Sequence, residues 1–470
     1  MPDSALHNVR DEALERYLDE TAERRLESYK ALLRIPSISG MPAHAADCRA
    51  AAEFVAGELR AAGMEHVEVS ETGGHPVVYA DWLHAEGRPT ILVYAHYDVQ
   101  PADPFDLWVK APFDPIVQDG KMLARGASDC KCHIAMYTRA IEALIATRHE
   151  LPINLKVIFE GEEEASSVHL DEWLLVNKDR LAADFAVVSD TGFFEGNLPA
   201  ITIALRGIMY IQLNVIGSTV DLHSGVYGGA VDNPVNVLCQ VVAALKDPDG
   251  VITVPGFYDD VVPLAAADKK AFADLPWNDE EYAAGIGVSE LHGEPGFTTL
   301  ERLGARPTLD VNGIWGGFEG DGPKTIIPAH AHAKISCRLV ADQDPEKIYG
   351  LVADYIGKLM PASVRYTIDR LGDGRPSLIS IDNPAAQAAA RAIEATFGQA
   401  PLYIREGGSV PVTASIESIL GQQAVMLGFA PADGNFHAPN EWMWMSNFET
   451  SIRTIARFWD EVATLSFPPR

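Results

Sequence analysis

A histidine and an aspartate two residues apart, His96 and Asp98, lie near the end of the stretch PTILVYAHYDVQP at residues 89–101. An imidazole is a good ligand for a borderline metal ion. A carboxylate two residues on can hydrogen-bond the free ring nitrogen and fix its tautomer and aim. Other segments also end in acidic side chains. KMLARGASD stops at Asp129, INLKVIFE runs into Glu162, Glu163 and Glu164, and DFAVVSD ends in Asp190. A second histidine, His437, lies in the loop after QQAVMLGF. Taken singly these are ordinary features: an HxD pair is usually a satisfied loop pair, an acidic run a solvated face, a terminal aspartate the cap of the next turn. Taken together, two histidines and several carboxylates without thiolates suit zinc, manganese or cobalt. Five ligands exceed one tetrahedral ion. They fit two ions about 3.5–4 Å apart if one carboxylate bridges. Such a pair can hold one hydroxide, and a neighbouring glutamate can take and deliver protons.

For these side chains to meet, the elements before them must end at one place. Ile91–Tyr94 is an apolar run of the kind a buried strand needs, flanked by Pro89 and Pro101. Further strands are expected at 65–70, 77–82, 153–160 and 184–190, with a short strand or turn at 121–129. Leu14, Tyr17, Leu18, Leu26, Tyr29, Leu32 and Leu33 fall mostly at helical spacing within 9–34, and Pro36 stops that helix. Asp47 is expected to cap a helix running to Gly63, and another helix covers 133–147. The alternation predicts an α/β domain with a largely parallel sheet. The candidate ligands then sit at or just beyond the carboxyl ends of strands, which is where an open parallel sheet binds ligands.

After Arg206 the pattern changes. Strands are expected at 207–217, 310–315, 325–340 and 363–369, with helices from Pro234 and from near Pro345. Residues 247–310 read as irregular. The order is β-α-β-β-α-β, a split βαβ (ferredoxin-like) α+β unit inserted into the chain and closed by LGDGRP at 371–376. A helix at 384–397 and the strand 422–429 return to the first domain. The expected division is therefore 1–206 with 377–470, and 207–376.

Composition limits the partners. A chain of 470 residues is too long for one core. Its net charge of −29 argues against nucleic acid and anionic membranes. There is no signal-peptide core at the N-terminus and no run of roughly 18 apolar residues. The five cysteines form no CxxC pair, which suits reduced thiols. A cytoplasmic protein is expected.

HYDVQP, ARGASD-x-K, FEGEEEASS, the SD at 189–190, DLHSG and NFHAPNE resemble, in order, the motifs of the M20 metallopeptidase family. The resemblance is strongest to its cytosolic dipeptidase branch, similar to carnosine and cysteinylglycine dipeptidases, and covers nearly the whole chain. It implies a zinc-peptidase-like catalytic domain and a lid/dimerisation domain. It implies two divalent ions, zinc first, with manganese or cobalt as alternatives. His96 and Asp190 would hold one ion, Glu164 and His437 the other, and Asp129 would bridge. Asp98 would orient His96, and Glu163 would be the general base for a bound hydroxide attacking the peptide bond of a dipeptide. His223 in DLHSG would come from the partner subunit of a homodimer and polarise the scissile carbonyl. Thr325, Arg338, Arg405 and Ser409 would bind substrate, the arginines as forks for its carboxylate. Two departures stand out. Cys130-Lys131-Cys132 replaces an acidic or Asn residue followed by Lys-Gly, and Ser166-Ser167 replaces Gly-Ser. The alternatives are an N-acyl-amino-acid or carbamoyl amidohydrolase of the same fold and an inactive binding protein.

Overall fold

The computed structural model describes residues 12–408 and 410–467. The chain forms two compact units. The first runs to Ile203, resumes over Ile379–Tyr403 and continues from Pro411. The second comprises Ala204–Leu378 and Ile404–Val410.

In the first unit the strand Thr90–His96 is buried from Ile91 onward, as its unbroken apolar run requires. It lies between the strands Asn154–Glu160 and Phe185–Val188, parallel to both. Ala424–Met426 extends the parallel run beside Phe185–Val188. Antiparallel strands flank this centre. Val77–Trp82 joins Asn154–Glu160 antiparallel, Glu65–Ser70 joins Val77–Trp82 antiparallel, and Ala200–Leu205 runs antiparallel to Ala424–Met426. The α/β class holds, with antiparallel strands outside a parallel core.

The helix Lys131–Arg148 is buried continuously from Lys131 to Leu144. Its neighbours include the helices Glu12–Leu33 and Met445–Val462. Fully burying each of its larger apolar side chains contributes roughly 1.5–3 kcal/mol. The expected helix at 9–34 is found as Glu12–Leu33; residues 9–11 lie outside the described residues. The next helix is Ala45–Ala61, one turn earlier than expected. Asp47 is not its cap: it lies in the first turn, where its carboxylate meets His44 Nδ1 at 2.7 Å.

The second unit has a four-stranded antiparallel sheet, in the order Thr308–Gly316, His330–Leu339, Gly207–Ile216, Arg365–Gly374. Numbered along the chain this is 2-3-1-4, the ferredoxin-like arrangement. Met209, Ile211, Leu213 and Val215 face the helices Pro234–Ala244 and Pro345–Leu359 together with the alternate residues of His330–Leu339. The stretch read as irregular contains three short helices, Ala266–Ala273, Asp279–Gly285 and Thr299–Ala305. At seven or eight residues each, their apolar stripes are too short to show a helical period. No helix among the described residues is long and apolar enough to cross a membrane.

Candidate metal centre

His96 is the last residue of its strand and has no exposed surface. Its Nδ1 lies 3.1 Å from the carbonyl oxygen of Asp98 and 3.3 Å from Asp98 Oδ1. Asp98 is itself fixed, because Oδ2 accepts from Ser39 Oγ at 2.6 Å and from the backbone N–H of Glu164 at 3.0 Å. With the Nδ1 proton committed to Asp98, His96 Nε2 presents a lone pair. That lone pair faces two carboxylate oxygens, Asp129 Oδ1 at 3.1 Å and Asp190 Oδ1 at 3.3 Å.

The second half of the centre repeats the arrangement. His437 Nε2 lies 3.0 Å from Asp129 Oδ2 and 3.2 Å from Glu164 Oε2. His437 takes a left-handed φ of 55° between Asn435 and Asn440, which do the same, so the loop turns tightly enough to aim the imidazole. Glu164 follows the strand Asn154–Glu160 in the short turn Glu163–Ala165, and its carboxylate also accepts from Gln100 Nε2 at 2.8 Å. Asp129 therefore offers one oxygen to each histidine.

Three electron-rich atoms converging in each half repel one another unless a cation lies among them. The protonation tendencies record this. Burial would pull His96 down, yet the carboxylates of Asp190 and Asp129 hold it well above the usual imidazole range. Hydrogen bonds to the carboxylates of Asp129 and then Glu164 push His437 up to about 10. Burial, reinforced by Asp190, pushes Glu163 up to about 9. Two sets of imidazole and carboxylate donors around a shared carboxylate fit two divalent ions, and the donor set is of the kind zinc, manganese and cobalt accept. None of the described residues hydrogen-bonds the Glu163 carboxylate.

The sequence reading left thiols out of this cluster. The Cys130 Sγ lies with donor atoms of His96 and Asp190 in one group spanning no more than 4.8 Å. It is turned toward backbone, accepting from His96 N at 3.3 Å and lying 3.4 Å from the carbonyl of Ser189. Burial pushes the thiol up to about 12, so it sits there as a neutral S–H. At the other departure, Ser166 and Ser167 take φ of 76° and 49°. This is the left-handed region that glycine enters without cost, and it costs a side-chain-bearing residue roughly 1–2 kcal/mol.

The remaining site residues belong to the second unit. His223 is exposed, and its Nδ1 accepts from Gly225 N at 3.0 Å, which leaves the ring proton on Nε2. It pairs with Ile326 across a two-residue ribbon, and Ser224 N donates to the carbonyl of Thr325 at 3.1 Å, so His223 and Thr325 are neighbours. Arg338 lies on the strand His330–Leu339, alternating with the buried residues of that strand. Arg405 Nη2 donates to Asp268 Oδ1 at 2.5 Å, an ion pair not foreseen from sequence. Ser409 lies outside the described residues.

The sequence profile of Peptidase family M20/M25/M40 matches residues 92–461. The chain belongs to this family. As a member of the M20/M25/M40 peptidases it is an enzyme, a metallopeptidase. It is similar to the Cys-Gly metallodipeptidase dug1 of Schizosaccharomyces pombe, 30% identical over 466 residues, 96% of this chain and 98% of that one. The Beta-Ala-His dipeptidase of Homo sapiens is 32% identical over 395 residues, covering 83% of this chain and 78% of that one. Among solved structures, an M20 family metallo-carboxypeptidase from Sulfolobus solfataricus is 30% identical with a TM-score of 0.82, over 94% of this chain and 99% of that one.

One residue beside the candidate centre was missed from the sequence. Glu441 lies four residues after His437, inside the NFHAPNE motif, and is wholly buried against the turn that carries Asp129. A glutamate at the end of a loop motif gives no sign of burial. The only signal was a second charged residue, Arg125, in the ARGASD motif, available to pair with it.

Proposed function

We propose that the chain is a dipeptidase that uses two divalent ions, zinc first, in the catalytic unit that carries His96 and His437. The observation that carries this reading is Asp129, whose two oxygens each face a histidine backed by a further carboxylate. His96 and Asp190 would hold one ion, Glu164 and His437 the other, with Asp129 shared. When bound, the ions supply Lewis-acid polarisation of the scissile carbonyl and make water more acidic. Glu163 accepts a proton from the attacking water as the C–O bond forms. It delivers that proton to the nitrogen as the C–N bond breaks, so the amine leaves neutral. Asp98 keeps the His96 tautomer fixed throughout.

The Nε2–H of His223 is the donor for the carbonyl oxygen, worth a few kcal/mol as negative charge develops there. We assign it to the active site of the partner in a homodimer formed through the lid, with Thr325 beside it. Arg338, Arg405 and Ser409 would bind the substrate carboxylate. The ion pair with Asp268 engages one Arg405 nitrogen and braces the side chain. Five free thiols support a cytoplasmic location.

Partner completion has a direct test. His223→Ala and Glu163→Gln are each expected to be nearly inactive alone. Mixed in equal amounts with full subunit exchange, half the dimers carry one intact site, and activity should approach roughly a quarter of wild type. No recovery under confirmed exchange would place His223 in its own chain's site or outside catalysis. Substrate class is tested by assaying the metal-loaded enzyme on dipeptides and on N-acetyl-amino acids. Preferential turnover of dipeptides is expected. Turnover of N-acetyl-amino acids alone would make the enzyme an N-acyl amidohydrolase.

A further inference from the structure

We propose that Glu441 is the positioning residue on which both ion sites depend: a buried carboxylate that shapes the turn presenting Asp129. Its side chain has no exposed surface. Oε1 accepts from the backbone N–H groups of Ser128 at 2.7 Å and Asp129 at 2.9 Å. Oε2 accepts from the backbone N–H of Gly126 at 2.8 Å and from Arg125 Nη1 at 2.9 Å. Four donors on two oxygens nearly exhaust what a carboxylate can accept. Three of them are backbone N–H groups of one short turn curled around an anion. Without that anion they would be left buried and unpaired, and the turn would open to find other partners.

The carboxylate also joins the segments that carry the ligands. Arg125 balances its charge, and Arg125 Nη2 donates to the carbonyl of Pro101 at 3.1 Å, three residues beyond Asp98. The backbone carbonyl of Glu441 accepts from Ala124 N at 3.1 Å, and Ser128 Oγ donates to the carbonyl of Trp442 at 2.5 Å. The strand end bearing His96, the turn bearing Asp129 and the loop bearing His437 are therefore held in register through one side chain. Asp129 must aim one oxygen at each histidine, so a small rotation of its turn disturbs both halves.

This inference rests on the two-ion reading, and the test keeps the two apart. Glu441→Gln preserves volume but turns an NH₂ group toward N–H donors. Its zinc affinity, measured by competition with a chelator, should fall about 10–100-fold, the usual cost of losing a residue that orients a ligand. Glu142→Gln is the control. Glu142 accepts from Tyr17 and Arg139 on a face of the helix Lys131–Arg148 that carries no ligand. Its loss should lower the melting temperature and leave zinc affinity unchanged. Should Glu441→Gln fail to fold, Arg125→Lys keeps the charge, loses the fork that reaches both Glu441 and Pro101, and should weaken zinc several-fold. The number of ions in wild type tests the two-ion reading by itself, whereas the affinity ratio tests the role of Glu441 whether one ion binds or two. Unchanged zinc affinity in Glu441→Gln, or in Arg125→Lys where that variant decides, would overturn the proposal. So would a loss of melting temperature in metal-free and loaded protein alike without a loss of affinity.

Discussion

Glu163→Gln should keep its metal and lose turnover by at least about 10²–10⁴-fold, the range that proton transfer alone contributes. The geometry separates this residue from its neighbour. Glu164 Oε2 stands 3.2 Å from His437 Nε2 and belongs to the second donor set. The Glu163 carboxylate has no hydrogen-bond partner among the described residues, and after burial the strongest influence on it is the charge of Asp190. An amide in its place cannot accept the proton of water, yet it leaves both donor sets intact. Glu164→Gln should do the reverse, weakening metal retention before turnover at saturating metal is lost. The check is kcat and bound metal measured on the same preparations. Reversed phenotypes would shift the assignment of the acidic run by one residue.

Asp129→Ala should release both ions together. Each histidine would keep only one carboxylate, Asp190 for His96 and Glu164 for His437. Neither remaining pair can hold an ion at the affinity of a three-donor set. Ligand binding stabilises the folded state by RT ln(1 + [L]/Kd), so added zinc should raise the melting temperature of wild type and leave that of Asp129→Ala almost unmoved. Activity should drop to background. Retention of one full equivalent of metal by Asp129→Ala would mean that the two donor sets are independent and the carboxylate is not shared.

Much of this candidate centre was legible in the sequence because several of its proposed ligands follow strands with strong apolar signatures. Ile91–Tyr94 and Phe185–Val188 are unbroken buried runs, and a parallel strand buried on both faces reads no other way. His96 and Asp190 follow directly from where those runs stop. The antiparallel outer strands were not legible, since strand direction depends on which neighbours pair and leaves no trace in composition. The helix start at Ala45 was misplaced for a local reason: Asp47 has the chemistry of a cap, but its carboxylate is used by His44. The ion pair between Arg405 and Asp268 joins residues 137 positions apart, beyond any local pattern. Glu441 is the clearest case. Its role comes from backbone N–H groups, which every residue carries and no sequence displays.

The central claim is that Asp129 is shared by two ions in the working enzyme. The measurement that tests it most directly is elemental analysis of fully active protein, freed of loose metal by gel filtration, alongside protein concentration from amino-acid analysis. Two equivalents of divalent metal per chain are expected. One equivalent or less at full activity would contradict the account.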